Sequence, residues 1–125
     1  MIQIKRVYEV VARSDGARFL VERLWPRGVK REALLMEAWL KDVAPSQALR
    51  QWYAHDLKRW PEFQRRYTQE LDANPVAWQP LLDVARKADV TLLYAARDTG
   101  HNSAVVLKAY LVKRLGVRKS PKHEP

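Results

Sequence analysis

Residues 90–102 read Val-Thr-Leu-Leu-Tyr-Ala-Ala-Arg-Asp-Thr-Gly-His-Asn, and this stretch indicates the fold class. Its first half is a continuous apolar run, which is typical of a central strand in a parallel sheet. Its second half is a polar loop, after which Asn102 or Ser103 begins a helix with apolar residues at helical spacing. A buried strand that leads through a loop into a helix predicts an α/β protein.

A second segment, residues 18–28, repeats this arrangement of an apolar run followed by arginine. It reads Arg-Phe-Leu-Val-Glu-Arg-Leu-Trp-Pro-Arg-Gly, and we predict a strand from Arg18 to Trp25 that Pro26 and Gly28 end. If the two strands are parallel neighbours, both loops lie at the carboxyl edge of the sheet, where open α/β sheets bind ligands. Arginines beside a helix N-terminus favour anions.

The rest of the chain predicts one further strand and several helices that flank a small sheet. The turn residues 13–16 separate the first strand from the second. We predict a strand at 2–10 and helices at 30–43, 47–54 with Ser46 as N-cap, 61–71, 75–87, and a last helix that Gly116 closes. The expected architecture is a single compact α/β domain, residues 1–117, with a mostly parallel sheet. A basic tail, residues 118–125, follows it.

Composition limits the class of protein. With 47% hydrophobic and 30% charged residues, the 125-residue chain is globular, and no apolar run approaches the roughly 20 residues that span a bilayer. The N-terminal residues lack the apolar core of a signal peptide, so we expect a cytoplasmic protein without a membrane partner. The absence of cysteine excludes a thiolate nucleophile and a cysteine metal site.

The net charge of +9 favours anionic ligands or polyanions in general. Part of this excess lies in the last stretch of the chain, and basic tails often only add solubility. A nucleic-acid partner therefore stays open as the alternative to a small anionic ligand. The oligomeric state is not indicated by the sequence.

Arginines are the first candidate ligand-binding residues. Arg27 and Arg97 follow the two predicted strands, and a guanidinium grips a carboxylate or phosphate at two points. Arg23 lies within the strand pattern, where it either joins them or pairs with an acidic residue of the protein. We therefore expect Arg27 and Arg97 to bind the ligand and leave both alternatives open for Arg23.

Asp98 and His101 are the candidate catalytic pair. The helix dipole disfavours an imidazolium at the start of a helix, so His101 is expected to be a neutral proton acceptor. Asp98 lies three residues earlier and would orient it for general base catalysis. The alternative is that the pair only braces the loop.

Three further residues belong to the same predicted ligand site. Asn102 begins the last helix, and Trp25 either stacks on a ligand or belongs to the core. His55 either bonds a backbone carbonyl or closes the cleft opposite His101. The two aspartates Asp56 and Asp98 and these histidines have no ligand spacing on one element, so no metal is predicted.

Glycine usage argues against a large phosphate cofactor. The chain has four glycines and neither a glycine-rich phosphate loop nor a dinucleotide fingerprint. We therefore predict no cofactor. An anion would be held by side chains and by the N-terminus of the last helix.

The segments Leu-Trp-Pro-Arg-Gly at 24–28 and Tyr-Ala-Ala-Arg-Asp at 94–98 also carry a family resemblance. Together with matching residues over nearly the whole chain, they resemble the YeaO-like branch of the family named domain of unknown function 488. The resemblance implies a compact Rossmann-like α/β domain with no established activity. A related branch has cysteine at the position of Tyr94, so its thiol chemistry does not transfer to this chain.

These observations leave functions of different classes open. The first is a small anion-handling enzyme or ligand-binding domain that uses the carboxyl edge of the sheet. The second is a basic nucleic-acid-binding module, and the third is an interaction domain whose arginines pair internally.

Overall fold

A computed structural model describes residues 1–119 and confirms the α/β class. The sheet has four strands in the order β1-β4-β2-β3, and every neighbouring pair is parallel. The strands are β1 (Ile2–Arg6), β2 (Ala17–Leu20), β3 (Ala38–Trp39) and β4 (Val90–Tyr94). The helices are α1 (Gln47–Tyr53), α2 (Trp60–Asp72), α3 (Pro75–Ala85) and α4 (Ser103–Lys119).

β4 is the buried central strand that the apolar run predicts. All five of its residues are buried, and it pairs with β1 on one side and β2 on the other. β2 is shorter than predicted, because its ladder with β4 ends at the Leu20–Leu93 pair. The Val21 N–H still donates to the Leu93 carbonyl over 3.1 Å, and beyond it the chain turns away. β1 is also shorter, since the Glu9 carboxylate accepts the Arg6 N–H and holds a turn there.

The two faces of the sheet are covered in different ways. Alternate strand residues such as Phe19 and Leu92 pack with buried residues of all four helices in one large apolar cluster. Their neighbours Leu20 and Leu93 belong to a second, smaller cluster on the other face. Most of the rest of that cluster comes from the chain between β2 and the end of β3, namely Trp25, Val29, Leu34, Met36 and Trp39. We call residues 21–37 the β2–β3 crossover.

The predicted helix at residues 30–43 is wrong. This part of the chain instead contains two short 3-10 turns and the edge strand β3. Its backbone groups bond to β2: the Glu37 N–H donates to the Arg18 carbonyl over 2.6 Å and the Leu40 N–H to the Leu20 carbonyl over 2.8 Å. Apolar spacing cannot reveal such pairing with a distant strand, and tertiary contacts override weak helix propensity.

The other helices agree with the sequence pattern. Ser46 caps α1, because its Oγ accepts the Leu49 N–H over 3.1 Å. α4 continues past Gly116 to Lys119, so the predicted end at Gly116 is wrong. Residues 120–125 of the predicted basic tail lie outside the described residues. No described helix is long and apolar enough to cross a membrane.

A buried ion cluster lies on the crossover face of the sheet. Asp15 is only 4% exposed and accepts hydrogen bonds from the Lys5 ammonium over 2.9 Å and from the Arg18 guanidinium. The Arg18 Nε–H also donates to the Leu35 carbonyl of the crossover. This cluster therefore ties the crossover to β1 and β2.

Candidate functional site

A cavity of about 370 Å³ opens at the carboxyl edge of the sheet. Its walls come from the segments that follow β1, β2 and β4, from the C-terminal end of α1, and from the start of α4. The lining residues are Tyr8, Glu22, Leu24, Trp25, Pro26, Arg27, Pro45, Arg50, Tyr53, His55, Phe63, Ala95, Ala96, Asn102 and Ser103. The cavity thus lies at the carboxyl ends of the parallel strands, where the loops begin, and this is the usual ligand position in such sheets.

Two arginines line this cavity without an internal partner. Arg27 is exposed and lies in the loop after β2, while Arg50 is half-buried on α1. Among the described residues, neither guanidinium takes part in an ion pair or in a side-chain hydrogen bond. Guanidinium groups with free donors in a concave site are suited to bind an anion.

Glu22 is the acidic group of the cavity. Its Oε2 accepts the Ala95 N–H over 2.9 Å, which joins the ends of β2 and β4. Burial raises the pKa of the Glu22 carboxyl, while the Ala95 N–H and the charges of Arg50 and His55 act in the opposite direction. The cavity lining therefore contains a poorly solvated carboxyl group whose charged form is favoured by the Ala95 N–H and by Arg50.

Aromatic side chains form the apolar part of the wall. The Trp25 indole N–H donates to the Val29 carbonyl over 2.6 Å, and its ring meets Trp39 edge-on at 5.3 Å. On the helix side, Tyr53 stacks on Phe63 at 4.4 Å between ring centroids. Trp25 thus packs in the second apolar cluster, as its core alternative predicts, and it also borders the cavity.

His55 lies at the cavity in an unusual backbone conformation. It has φ 58°, and the preceding Ala54 has φ 46°, so two non-glycine residues in a row adopt the left-handed region. Ala54 ends α1, and its N–H donates to the Arg50 carbonyl over 3.0 Å. This tight end of the helix turns the His55 side chain toward Tyr53, with ring centroids 5.9 Å apart.

The other two predicted arginines have different surroundings. Arg23 is bonded to the backbone and not to an acidic side chain of the described residues: its guanidinium donates to the Pro45 and Ala44 carbonyls over 3.0 Å each. It borders a second, smaller cavity of about 170 Å³ behind the start of α1. Arg97 is exposed in the loop after β4 and is not among the described residues that line the larger cavity.

Asp98 and His101 contact each other beside the cavity. The His101 Nδ1 lies 3.1 Å from each Asp98 carboxylate oxygen, and Asp98 also accepts the Gly100 and His101 N–H groups. The Gly100 N–H, and then the His101 side chain, lower the pKa of Asp98 against the effect of its partial desolvation. The His101 ring packs edge-on against Trp60 at 5.2 Å, and within the described chain neither side chain lines the larger cavity.

Asn102 fixes the start of α4 at the cavity. It is 4% exposed, its Oδ1 accepts the Val105 N–H over 3.1 Å, and its Nδ2 donates to the Asp98 carbonyl over 2.9 Å. Both its amide oxygen and its amide nitrogen are therefore bonded within the protein. Ser103, the first residue of α4, also lines the cavity, so the positive end of the helix dipole borders the site.

Of the residues predicted for the site, the cavity lining contains Arg27, Trp25, His55 and Asn102. Sequence reasoning missed Glu22 and Arg50 as site residues. Glu22 is a charge at the end of an apolar run, and Arg50 borders the buried face of α1 that Leu49 and Tyr53 define. Within residues 1–119, no group of three or more potential ligands is placed to hold a metal ion.

The fold and the cavity define a small α/β protein with a charged site at the carboxyl edge of a parallel sheet. A family model described as "Inactive DUF488-N3 subclade" matches residues 1–125, and the chain belongs to this DUF488 family as a YeaO-like member. It is 41% identical over 110 residues to "Uncharacterized protein YeaO" of Escherichia coli (strain K12), covering 88% of this chain and 96% of that protein.

Mycobacterial proteins show the same degree of similarity. "Uncharacterized protein Rv3073c" of Mycobacterium tuberculosis (strain H37Rv) and "Uncharacterized protein Mb3100c" of Mycobacterium bovis are each 38% identical over 110 residues. Those alignments cover 88% of this chain and 92% of each relative. No solved structure matches the chain significantly.

Proposed function

We propose that the protein binds a small anion, a carboxylate or a phosphate, in the cavity at the carboxyl edge of its sheet. The observation that carries the proposal is the pair of guanidinium groups, Arg27 and Arg50, which line one cavity and form no ion pair with any residue that the structure describes. Unpaired arginines in a concave site gain charge-assisted hydrogen bonds when an anion enters. The start of α4 at Ser103 adds the favourable end of a helix dipole.

The proposal is binding without turnover. The Asp98–His101 pair, which the sequence predicts as a general base, lies beside the larger cavity and is not part of its described lining. The family is described as inactive, which agrees with a site that holds a ligand and does not transform it. We therefore expect His101→Ala to leave anion affinity unchanged.

Calorimetric titration with inorganic phosphate and with acetate tests the proposal. We expect Arg27→Gln and Arg50→Gln each to weaken binding of the preferred anion by roughly tenfold or more, since each removes hydrogen bonds to a charged group. Arg13→Gln is the matched charge control, because Arg13 lies before β2 at the opposite edge of the sheet.

Arg97→Gln separates this proposal from the site predicted by sequence alone. Arg97 is exposed outside the described cavity lining, so its removal should resemble the Arg13 control. The proposal is wrong if Arg27→Gln and Arg50→Gln both bind phosphate and acetate as tightly as Arg13→Gln does. It is equally wrong if neither anion binds the unmodified protein.

A further inference from the structure

The Glu22 carboxyl is unexpected in a site for a simple anion. It lines the same cavity as Arg27 and Arg50, and only its Oε2 is bonded, to the Ala95 N–H. Among the described residues, its Oε1 has no hydrogen-bond donor and no cation lies within ion-pair distance of it. A carboxylate in this position repels a bare anion and offers a free acceptor.

Glu22 is half-buried and its Oε1 is open to water in the free protein, so a ligand that fills the cavity displaces this water and has to supply a donor in its place. An ionised carboxylate only accepts hydrogen bonds, and an unsatisfied buried acceptor is costly. Acetate supplies no donor at this position, and hydrogen phosphate has only the hydroxyl of its own acidic group, which the arginines engage. The ligand that satisfies the whole cavity therefore carries a donor group as well as an acidic group.

A hydroxyl suits this environment better than an ammonium. The lining contains two arginines and a histidine against one carboxyl group, so its net charge is positive. An ammonium would be repelled by that charge and would lose its hydration, whereas a hydroxyl carries no net charge. Trp25, Tyr53 and Phe63 offer aromatic faces for the carbon atoms that join the two groups.

We propose that the ligand is a small hydroxylated acid, whose acidic group binds Arg27 and Arg50 and whose hydroxyl donates to Glu22. This inference rests on the proposed anion site. The volume of about 370 Å³ lies at the lower end of ligand pockets and suits a molecule the size of a hydroxy acid or a phosphorylated polyol. Hydroxy acids and phosphorylated polyols both carry an acidic group close to a hydroxyl.

Matched ligand pairs that differ only by the hydroxyl test the inference. Lactate is compared with propionate, and glycerol phosphate with propyl phosphate, by calorimetric titration of the full chain. In at least one pair we expect the hydroxylated member to bind roughly tenfold more tightly, as a hydrogen bond to a charged group provides. L-alanine is the ammonium counterpart of lactate and should bind more weakly than lactate.

Variants of Glu22 test whether this side chain causes the preference for the hydroxylated ligand. Glu22→Gln keeps an acceptor for the Ala95 N–H but replaces the charged acceptor, and Glu22→Met removes the acceptor entirely. We expect the hydroxyl preference to fall in Glu22→Gln and to vanish in Glu22→Met, while propionate or propyl phosphate still binds. Glu32→Gln, an exposed carboxylate outside the described cavity lining, serves as the control and should keep the full preference.

The outcomes distinguish this inference from the proposed function. If both members of each pair bind equally to the unmodified protein, the anion site stands and the hydroxyl assignment is wrong. It is also wrong if L-alanine binds more tightly than lactate, or if Glu22→Met keeps the preference. If no acid binds at all, the proposed function fails together with this inference.

Discussion

Asp15 shows how a single carboxylate is stabilised inside this small protein. Burial alone raises the pKa of its carboxyl, but hydrogen bonds from the Ala12 N–H and from Lys5 and Arg18 outweigh burial and lower it to about 2. The Thr91 hydroxyl adds a bond to the Asp15 carbonyl over 2.7 Å. The side chain is therefore charged in the folded protein at any pH where the unfolded chain also ionises it.

We expect Asp15→Asn to lower the free energy of unfolding by on the order of 3 kcal/mol at neutral pH, because it leaves two cations unpaired near the core. The folded-state pKa of Asp15 lies below the unfolded value, so its contribution is present above about pH 4 and is lost toward pH 2. Urea denaturation between neutral and acid pH measures this. A stability difference that stays constant down to pH 2 would contradict the prediction.

Residue identities in the site were easier to predict than residue pairings. Arg27 was expected at a ligand site and lines the cavity, whereas Arg23, four residues earlier in the same segment, bonds two backbone carbonyls instead. The sequence shows both arginines at the end of one strand. It does not show where the segment before α1 passes, and that position decides which guanidinium is satisfied internally.

At the scale of elements, the β2–β3 crossover departs most from expectation. Parallel strands are normally joined by a helix, and the spacing of Leu34, Leu35, Ala38 and Trp39 predicted one here. The crossover instead packs without an α-helix, and its ends bond to the sheet: the Val21 N–H donates to Leu93 of β4, and the Glu37 N–H donates to Arg18 of β2. β4 was predictable because its entire apolar run is buried, whereas this segment depends on partners far away in sequence.

Arg31 contacts both Trp25 and Trp39, which pack against each other at the crossover. Its guanidinium lies 4.7 Å from the Trp25 ring and 5.0 Å from the Trp39 ring. We expect Arg31→Ala to cost about 1 kcal/mol of stability and to make the Trp25 side of the cavity more mobile. Urea denaturation followed by tryptophan fluorescence measures the cost, with Arg13→Ala as a control that contacts neither ring. An unchanged midpoint in Arg31→Ala would contradict this prediction.

At the scale of the whole molecule, the sheet carries a large apolar cluster on one face and a smaller one on the other. The helices cover one face of the sheet, and the crossover covers the other. The α/β class and the parallel sheet followed from the strand-to-loop pattern, and the larger cavity opens at the edge where that pattern predicted a site. The one-sided helix layer did not, because the helical spacing at residues 30–43 resembles that of the real helices.

Leu92 and Leu93 probe the two layers separately. Both are fully buried neighbours on β4, and they point to opposite faces. We expect Leu92→Ala and Leu93→Ala each to cost about 3 kcal/mol of stability. Only Leu93→Ala should increase hydrogen exchange of the crossover amides and weaken phosphate binding, since Trp25 and Arg27 belong to that layer. Equal exchange of the crossover in both variants would contradict this division.

The net charge of +9 belongs to the whole molecule, and its effect differs from that of the site. Binding of one small anion at Arg27 and Arg50 neutralises few charges, so its affinity should fall less than about tenfold between about 50 and 200 mM salt. A polyanion that contacts several phosphates loses roughly 1,000-fold or more over this range. Titration of phosphate and of a single-stranded oligonucleotide at both salt concentrations measures the difference. Tight oligonucleotide binding with the steep dependence would favour the nucleic-acid alternative instead.

The crossover is also the segment in which substitutions can change the wall of the cavity. A helix holds its shape through its own backbone bonds, but the crossover is shaped by a few side-chain anchors such as Arg18, Arg31 and Trp39. The same segment supplies the Trp25 and Arg27 wall of the cavity. Substitutions at a handful of its positions can therefore alter what the cavity accepts while the helical layer keeps the chain folded. The helical side of the cavity has less freedom, because Tyr53 and Phe63 line it and also belong to the large apolar cluster.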